Sequence, residues 1–267
     1  MKNQNLAVIT GAAGGIGAAI AKQLSIAGWR CLLLGRNEQK LIKLCHTLEG
    51  EHRYLVADLQ EDESCEIVSK LVKDLGGIKL LVNNAGVNQM APFSSNTQVD
   101  IRQQLQVNLF APIQLTHQLL DQLLSNQGTV VNIGSAYGYI GYPYQSVYCA
   151  SKFGLRGFSE ALSREYEGRL AVKYLAPRAT DTAINNTQVR ALNKSMGNRM
   201  DSTEAVAGEF MGLLESRKRR LVLGYPEKLF SRLNGLLPEV IDAVLCKQLR
   251  TIKSFVGSAN EQKESSQ

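Results

Sequence analysis

Histidine is scarce: His46, His52 and His117 are the only three, and no HExxH-type spacing joins them. No metal site is expected on that basis. The five cysteines, Cys31, Cys45, Cys65, Cys149 and Cys246, are odd in number, scattered and without a CxxC pair. That argues against a disulfide frame or a thiolate cluster and fits reduced thiols in a cytosolic protein. No uninterrupted apolar run approaches the roughly 18 residues of a spanning helix. The chain passes from "MKNQN" straight into the short run "LAVIT", with no basic stretch ahead of a long apolar core. A soluble, cytoplasmic protein without a secretory signal is expected.

What is present suffices for a sizeable core, with 267 residues of which 44% are hydrophobic. One domain is expected over 1–257, including a carboxyl-terminal helical extension from about 226, with 258–267 a frayed polar tail. The net charge of +6 is uneven, because residues 217–267 hold ten Lys/Arg against five Asp/Glu. Such a surface suits an acidic carrier protein or an anionic lipid headgroup, with peripheral membrane contact, and it equally suits plain solvation. No nucleic-acid partner is expected.

Apolar runs of strand length alternate with helical segments. The runs are "LAVIT" (6–10), "CLLLG" (31–35), "YLVAD" (54–58), "KLLVNNAG" (79–86), "GTVVNIGS" (128–135), "LAVKYLAP" (170–177) and "RRLVLGYP" (219–226). Helices are expected near 15–27, 62–75, 97–125 and 150–167. Continuous Val/Ile/Leu runs without alternation belong to a parallel sheet covered on both faces, so the class is α/β. The polar segment 178–203 reads as a loop or lid. Two amphipathic helices flank Pro238, and in the second Val240, Ile241, Val244, Leu245, Leu249, Ile252 and Phe255 recur at helical spacing. That face packs on the body, meets a sister subunit, covers a substrate or touches a membrane.

"TGAAGGIG" (10–17) joins the first strand to the first helix. Its glycines, Gly11, Gly15 and Gly17, permit a sharp turn and close approach of a pyrophosphate, and the helix start offers unpaired N–H groups. Thr10, Ala13 and Ile16 share the turn. At the end of the second strand, where NAD-binding chains place a carboxylate for the ribose, stand Gly35 and Arg36. A guanidinium suits a 2′-phosphate, so NADP(H) is the expected cofactor, with Arg36 as its main phosphate contact. Asp58, followed by Leu59, closes the third strand, either at the adenine edge or as a cap for the next helix.

"SVYCASKFG" (146–154) sets Tyr148 and Lys152 one helical turn apart. Tyr137, Tyr139, Tyr142 and Tyr144 crowd the same region, but only Tyr148 has a lysine at +4 and a serine, Ser135, thirteen residues earlier. An ammonium beside a phenol, whose ordinary pKa is about 10, favours phenolate and predicts a lowered pKa for Tyr148. The other four tyrosines are candidate pocket walls. Gly154 lets this helix pack closely on a neighbour.

The ordered set "TGAAGGIG", "ADL", "NNAG" (83–86), "VNL" (107–109), "NIGS" (132–135), "YCASK" (148–152) and "PRATDT" (177–182) resembles the classical short-chain dehydrogenase/reductase (SDR) family across roughly 5–225. The resemblance implies a Rossmann-like doubly wound parallel sheet of about seven strands flanked by helices, here with a C-terminal helical extension, and a homodimer or tetramer. It implies Tyr148 as acid/base, Ser135 as donor to the carbonyl oxygen, Lys152 as ribose ligand and pKa modifier, and Asn108 as a fourth catalytic member holding a water, against which stands Asn108 as a structural amide inside a helix. It adds Asn84, Ala85, Gly86, Pro177, Thr180 and Thr182 to the cofactor contacts. The expected activity is reduction of a ketone or aldehyde, including a 3-oxoacyl or other lipid-like carbonyl. An alcohol dehydrogenase working in the oxidising direction and a non-catalytic dinucleotide-binding sensor or scaffold are the alternatives. The family's usual Pro-Gly is Pro177-Arg178 here, so Arg178 alters the backbone near the nicotinamide or faces the substrate entrance. The glycine-rich close of the tetrameric members is missing as well.

Overall fold

The computed structural model describes residues 5–264 apart from 183, 186 and 198. Seven strands, β1 (Leu6–Ile9), β2 (Arg30–Gly35), β3 (Arg53–Val56), β4 (Leu80–Asn83), β5 (Thr129–Ile133), β6 (Ala171–Ala176) and β7 (Arg220–Val222), form one sheet ordered β3-β2-β1-β4-β5-β6-β7. Every neighbouring pair is parallel. The inner strands β1 and β4 are buried along their whole length, while the edge strand β3 is largely exposed. This is the burial that unalternated apolar runs require. The strand order reverses between β1 and β4, which opens a crevice beyond their carboxyl ends.

The helices α1 (Gly15–Ile26), α2 (Glu38–Thr47), α3 (Asp62–Asp74), α4 (Gln98–Leu105), α5 (Ala111–Ser125), α6 (Ser146–Glu165), α7 (Thr187–Ser195), α8 (Thr203–Glu215), α9 (Tyr225–Leu236) and α10 (Pro238–Glu264) complete the chain. Ile20 and Leu24 of α1 pack with Val206 and Phe210 of α8 over one face of the sheet. Val68 and Val72 of α3 join Leu115 and Leu119 of α5 over the other.

Three expectations change. The segment expected as a loop over 178–203 contains α7, and its ends are tied by a bridge between Thr180 and Asp201. It is a folded flap, which its polar composition concealed. The helix expected over 97–125 is two helices joined by a π-helical turn at Gln106–Phe110. The carboxyl end continues as helix to Glu264, so most of the expected frayed tail has helical backbone, and 265–267 lie outside the described residues.

The apolar face of α10 divides. Ile241 and Ile252 are buried, and Ile252 and Val256 pack on Met90 and Leu192 together with Tyr142 and Tyr144, whereas Val240, Val244 and Leu249 are exposed. The helix therefore packs on the body of the same chain, against the flap.

Gly17 locks α1 to the crevice, since a Cβ there would lie 2.5 Å from Gly11 O and 2.6 Å from Asn84 Nδ2. A backbone oxygen cannot step aside as a flexible side chain would. Gly17→Ala is therefore expected to lower unfolding free energy by about 1–3 kcal/mol, read from the denaturant midpoint; an unchanged midpoint would contradict this packing.

Candidate active site

The turn between β1 and α1 is built for an anion. Gly11 and Gly15 hold φ of +63° and +57°, in the left-handed region that glycine tolerates. α1 starts after Gly14 with no side-chain cap and no acidic residue in its first turn, which leaves its leading N–H groups open to a phosphate. Thr10 serves a different purpose from the one expected. It does not line the cavity; its buried hydroxyl accepts from Asn84 N and Ala85 N, both at 2.9 Å, and donates to Val82 O at 3.4 Å. Asn84 Nδ2 returns bonds to Thr10 O (2.9 Å) and Gly11 O (3.2 Å). Thr10, Asn84 and Gly17 thus rivet the "NNAG" turn to the glycine turn.

A cavity of about 1030 Å³ runs from this turn across the carboxyl edge of the sheet. Of the residues proposed from sequence, Gly11, Ala13, Gly15, Ile16, Arg36, Asp58, Leu59, Asn84, Ala85, Gly86, Ser135, Tyr148, Lys152, Pro177, Thr180 and Thr182 line it. Thr10, Gly17 and Asn108 do not, and all three sit behind the wall as fasteners.

At one end Arg36 is exposed and only loosely paired, 3.9 Å from Asp58. Asp58 does not cap α3: its Oδ1 accepts from Gln60 N at 3.0 Å, and the residue at the cap position is Glu61. Lys40, one turn into α2, lines the cavity as Arg36 does, although no sequence motif marks it. Asn37 starts that helix by accepting from Lys40 N at 2.9 Å.

In the middle, the carboxyl end of β5 and the start of α6 bring Ser135, Tyr148 and Lys152 together. The Ser135 hydroxyl lies close enough to Tyr148 to favour its phenolate, and Ser135 Oγ accepts from Tyr137 N at 3.1 Å. Lys152 Nζ donates to Ile133 O at 3.1 Å and lies 5.7 Å from the Tyr148 ring centre. Asn108, fully buried in the π-helical turn, commits its amide to Val87 N (2.8 Å), Val87 O (2.9 Å) and Ser151 Oγ (3.1 Å). With its side chain so engaged, Asn108 holds the Gly86–Val87 turn. A Cβ on Gly86 would sit 3.7 Å from Lys152 Nζ. Gly154 meets Leu109 of the same turn, where a Cβ would lie 2.9 Å from Leu109 Cδ2.

At the far end, Arg178 donates Nε and NH2 to Asp201 at 2.9 and 2.5 Å and brings NH1 to 4.0 Å from Glu227. It joins the flap to α9. Tyr137 and Tyr142 stack with centroids 4.8 Å apart and line the cavity. Tyr139 and Tyr144 do not: Tyr139 lies under Arg156 at 4.4 Å, and Tyr144 packs with α10. Ile241, Val244 and Leu245 of α10 close the outer wall.

A short chain dehydrogenase model matches residues 5–193. The chain belongs to the short-chain dehydrogenase/reductase family. Nodulation protein G of Rhizobium sp. (strain N33) is 34% identical over 82% of this chain and 92% of that protein. Carbonyl reductase family member 4 of Danio rerio is 33% identical over 79% and 91%. Among solved structures, a short-chain dehydrogenase from Streptomyces avermitilis superposes with a TM-score of 0.78 at 25% identity, covering 94% of this chain and 98% of that one. A 3-oxoacyl (acyl-carrier-protein) reductase from Agrobacterium tumefaciens C58 with NADP bound gives 0.72 at 25% identity, covering 78% and 86%.

As a short-chain dehydrogenase, the chain is an oxidoreductase of the nicotinamide-dinucleotide class, and the uncapped glycine turn fits that group. Among the described residues no cluster of three or more metal-ligating side chains forms, and no helix is long and apolar enough to cross a membrane. One electrostatic expectation is overturned. Burial pushes the Tyr148 phenol up to about 12, and the neighbouring Ser135 hydroxyl only partly offsets it. Burial also brings the Lys152 ammonium down to about 8. In this dehydrogenase desolvation sets the direction of the Tyr148 shift.

The sign of the Lys152 shift sets a pH dependence. Folded, the ammonium loses its proton near 8, whereas unfolded it keeps it to about 10.5. The unfolded chain binds the extra proton between those values, so the cost of burying the charge is full below about pH 8 and fades as pH rises. The unfolding free energy of Lys152→Met minus that of wild type is expected to shrink from about pH 8 to about pH 10. A difference independent of pH would contradict a buried, titrating Lys152.

Proposed function

We propose that this short-chain dehydrogenase reduces a ketone or aldehyde to the alcohol with NADPH. The observation that carries the reading is that Ser135, Tyr148 and a buried ammonium, Lys152, converge on one stretch of the cavity wall. Hydride to the carbonyl carbon is the chemistry a bound reduced nicotinamide supplies. Tyr148 Oη delivers the proton to the carbonyl oxygen, and Ser135 Oγ donates to that oxygen as negative charge grows there. Lys152, placed to meet the ribose, lowers the cost of the tyrosinate that remains. Asn108 acts through Gly86 and Val87, as a positioning residue.

For the dinucleotide, the glycine turn takes the pyrophosphate and Asp58 and Leu59 flank the adenine. Asn84, Ala85, Gly86, Pro177, Thr180 and Thr182 border the nicotinamide half. Arg36 and Lys40 support NADPH over NADH, because two cations line the end of the cavity where a 2′-phosphate would lie. The NADP bound to the Agrobacterium relative supports the same choice.

Relatives named as 3-oxoacyl-[acyl-carrier-protein] reductase support a 3-oxoacyl or similar lipid-like carbonyl. The basic carboxyl-terminal region suits the acidic carrier or lipid surface that would present it. Exposed Val99 and Phe110, on α4 and the π-helical turn, support self-association through that face.

Tyr148→Phe is expected to lower kcat by about 10²–10⁴-fold with NADPH affinity retained. Wild-type activity in the variant would remove the proton-donor role. Arg36→Ala is expected to weaken NADPH by about 10–100-fold and leave NADH unchanged, measured by fluorescence titration. Equal weakening of both cofactors would contradict the phosphate assignment.

A further inference from the structure

The flap narrows to a neck, and the neck is charged. Arg178 stands at its start, after β6, and Asp201 at its return, just ahead of α8. Main chain crosses between the two ends, with Asp201 N donating to Ala179 O at 2.9 Å and Asp181 N to Asp201 O at 3.0 Å. Over this bridge the Arg178 guanidinium lays two bonds on Asp201, Nε to Oδ2 at 2.9 Å and NH2 to Oδ1 at 2.5 Å. It turns NH1 towards Glu227 of α9, 4.0 Å away. The Arg178, Asp201 and Glu227 side chains are only 15%, 18% and 25% exposed. A forked pair shielded to that degree is stronger and more directional than an ion pair in open water.

The backbone makes room for this arginine. Gly224, which precedes α9, has φ +84°, and a Cβ there would come within 2.8 Å of Arg178 Cδ. The flap beyond the neck is knitted to itself, because Arg190 of α7 donates to Asn185 O at 3.0 Å and Thr182 O at 3.1 Å and pairs with Asp181 at 3.1 Å. It is thus one folded piece with two fastenings: Arg178 at the neck, and Leu192, which packs with Ile252 and Val256 of α10. That piece carries Val189, Asn193 and Met196 on the cavity wall, with Thr180 and Thr182.

We propose that Arg178 is a positioning residue for the substrate: by forking onto Asp201 it holds the neck of the flap together, so that the α7 wall is in place before the carbonyl compound arrives. This rests on the carbonyl-reductase reading for the identity of the substrate, while the fastening itself does not. A wall set in advance leaves less of the flap to be ordered on binding, a gain that appears in the affinity for the ketone and not in the chemical step. Arg178 lines the cavity and Asp201 does not, which separates fastening of the flap from direct contact with the substrate.

The test is a double-mutant cycle of Arg178→Ala and Asp201→Ala, read in two ways. In the protein without ligand, trypsin cleavage after the exposed Lys194 of α7, relative to cleavage after the exposed Lys22 of α1, is expected to be about tenfold faster in each single variant and no faster again in the double one. The Lys22 reference cancels any general loss of stability. With NADPH and a panel of ketones, KM is expected to rise about tenfold in all three variants while kcat changes by less than about twofold. Arg178→Lys, which keeps the charge and loses the fork, should recover part of both effects. Asp201→Ala decides the matter alone where Arg178→Ala does not fold. Faster flap cleavage without turnover of any ketone would uphold the fastening and count against the reductase reading alone. Unchanged relative cleavage, additive effects in the double variant, a KM raised only by changes at Arg178, or a fall in kcat with KM unmoved would overturn the proposal.

Discussion

Lys152 is an ammonium held in the interior by one hydrogen bond, to Ile133 O at 3.1 Å, next to a phenol that burial keeps protonated. Neither group would be placed there by stability alone, since a buried amine loses part of its affinity for a proton and destabilises the fold while it is charged. Much of the surrounding structure supports this pair. α6 carries both residues on one face and approaches the π-helical turn closely because Gly154 has no side chain to meet Leu109. That turn aims Asn108 at Val87 and so fixes Gly86 beside the lysine. Tyr174, fully buried on β6, donates to Lys152 O and so helps anchor the lysine's main chain.

The sheet supplies the second half of the arrangement. Its order reverses between β1 and β4, so the glycine turn after β1 and the "NNAG" turn after β4 are adjacent, and the Thr10 hydroxyl ties them. On the β5 side, Asn83 Nδ2 donates to Asn132 Oδ1 at 2.8 Å and Asn132 Nδ2 to Ser159 Oγ at 2.8 Å, which stitches β4, β5 and α6 together below Ser135 and Tyr148. Two sets of buried hydrogen bonds, one on each side of β4, thereby fix the glycine turn and the start of α6 against the sheet.

The strands were legible because both faces of a parallel sheet are covered, so runs such as "LLLG" and "LVNN" stand out without alternation. The glycine turn, the Tyr148–Lys152 spacing and Ser135 were legible because their chemistry demands those residue types at those separations. Several features were hidden. Thr10, Gly17 and Asn108 belong to the family's motif, but a motif does not separate residues that face the cavity from those that fasten its wall. α7 was masked by its polar composition, since a short helix lying on a flap needs few apolar positions. Lys40 gave no signal beyond being a helical lysine one turn after Arg36. Glu227 depends on the contact between β6, the flap and α9, which only tertiary structure reveals; the unusual Pro177-Arg178 pair was the one trace of it. The direction of the Tyr148 shift also lay beyond reach, because spacing reports the neighbouring charge and is silent on desolvation.

Burial leaves Tyr148 a weak acid even with Lys152 nearby. Ultraviolet titration of phenolate absorbance, wild type minus Tyr148→Phe, isolates this one group. A midpoint of about 12 is expected for the protein without ligand, moving down when oxidised NADP, with its positive ring, is bound. A midpoint below the ordinary tyrosine value before NADP is added, or one that NADP leaves unmoved, would contradict it.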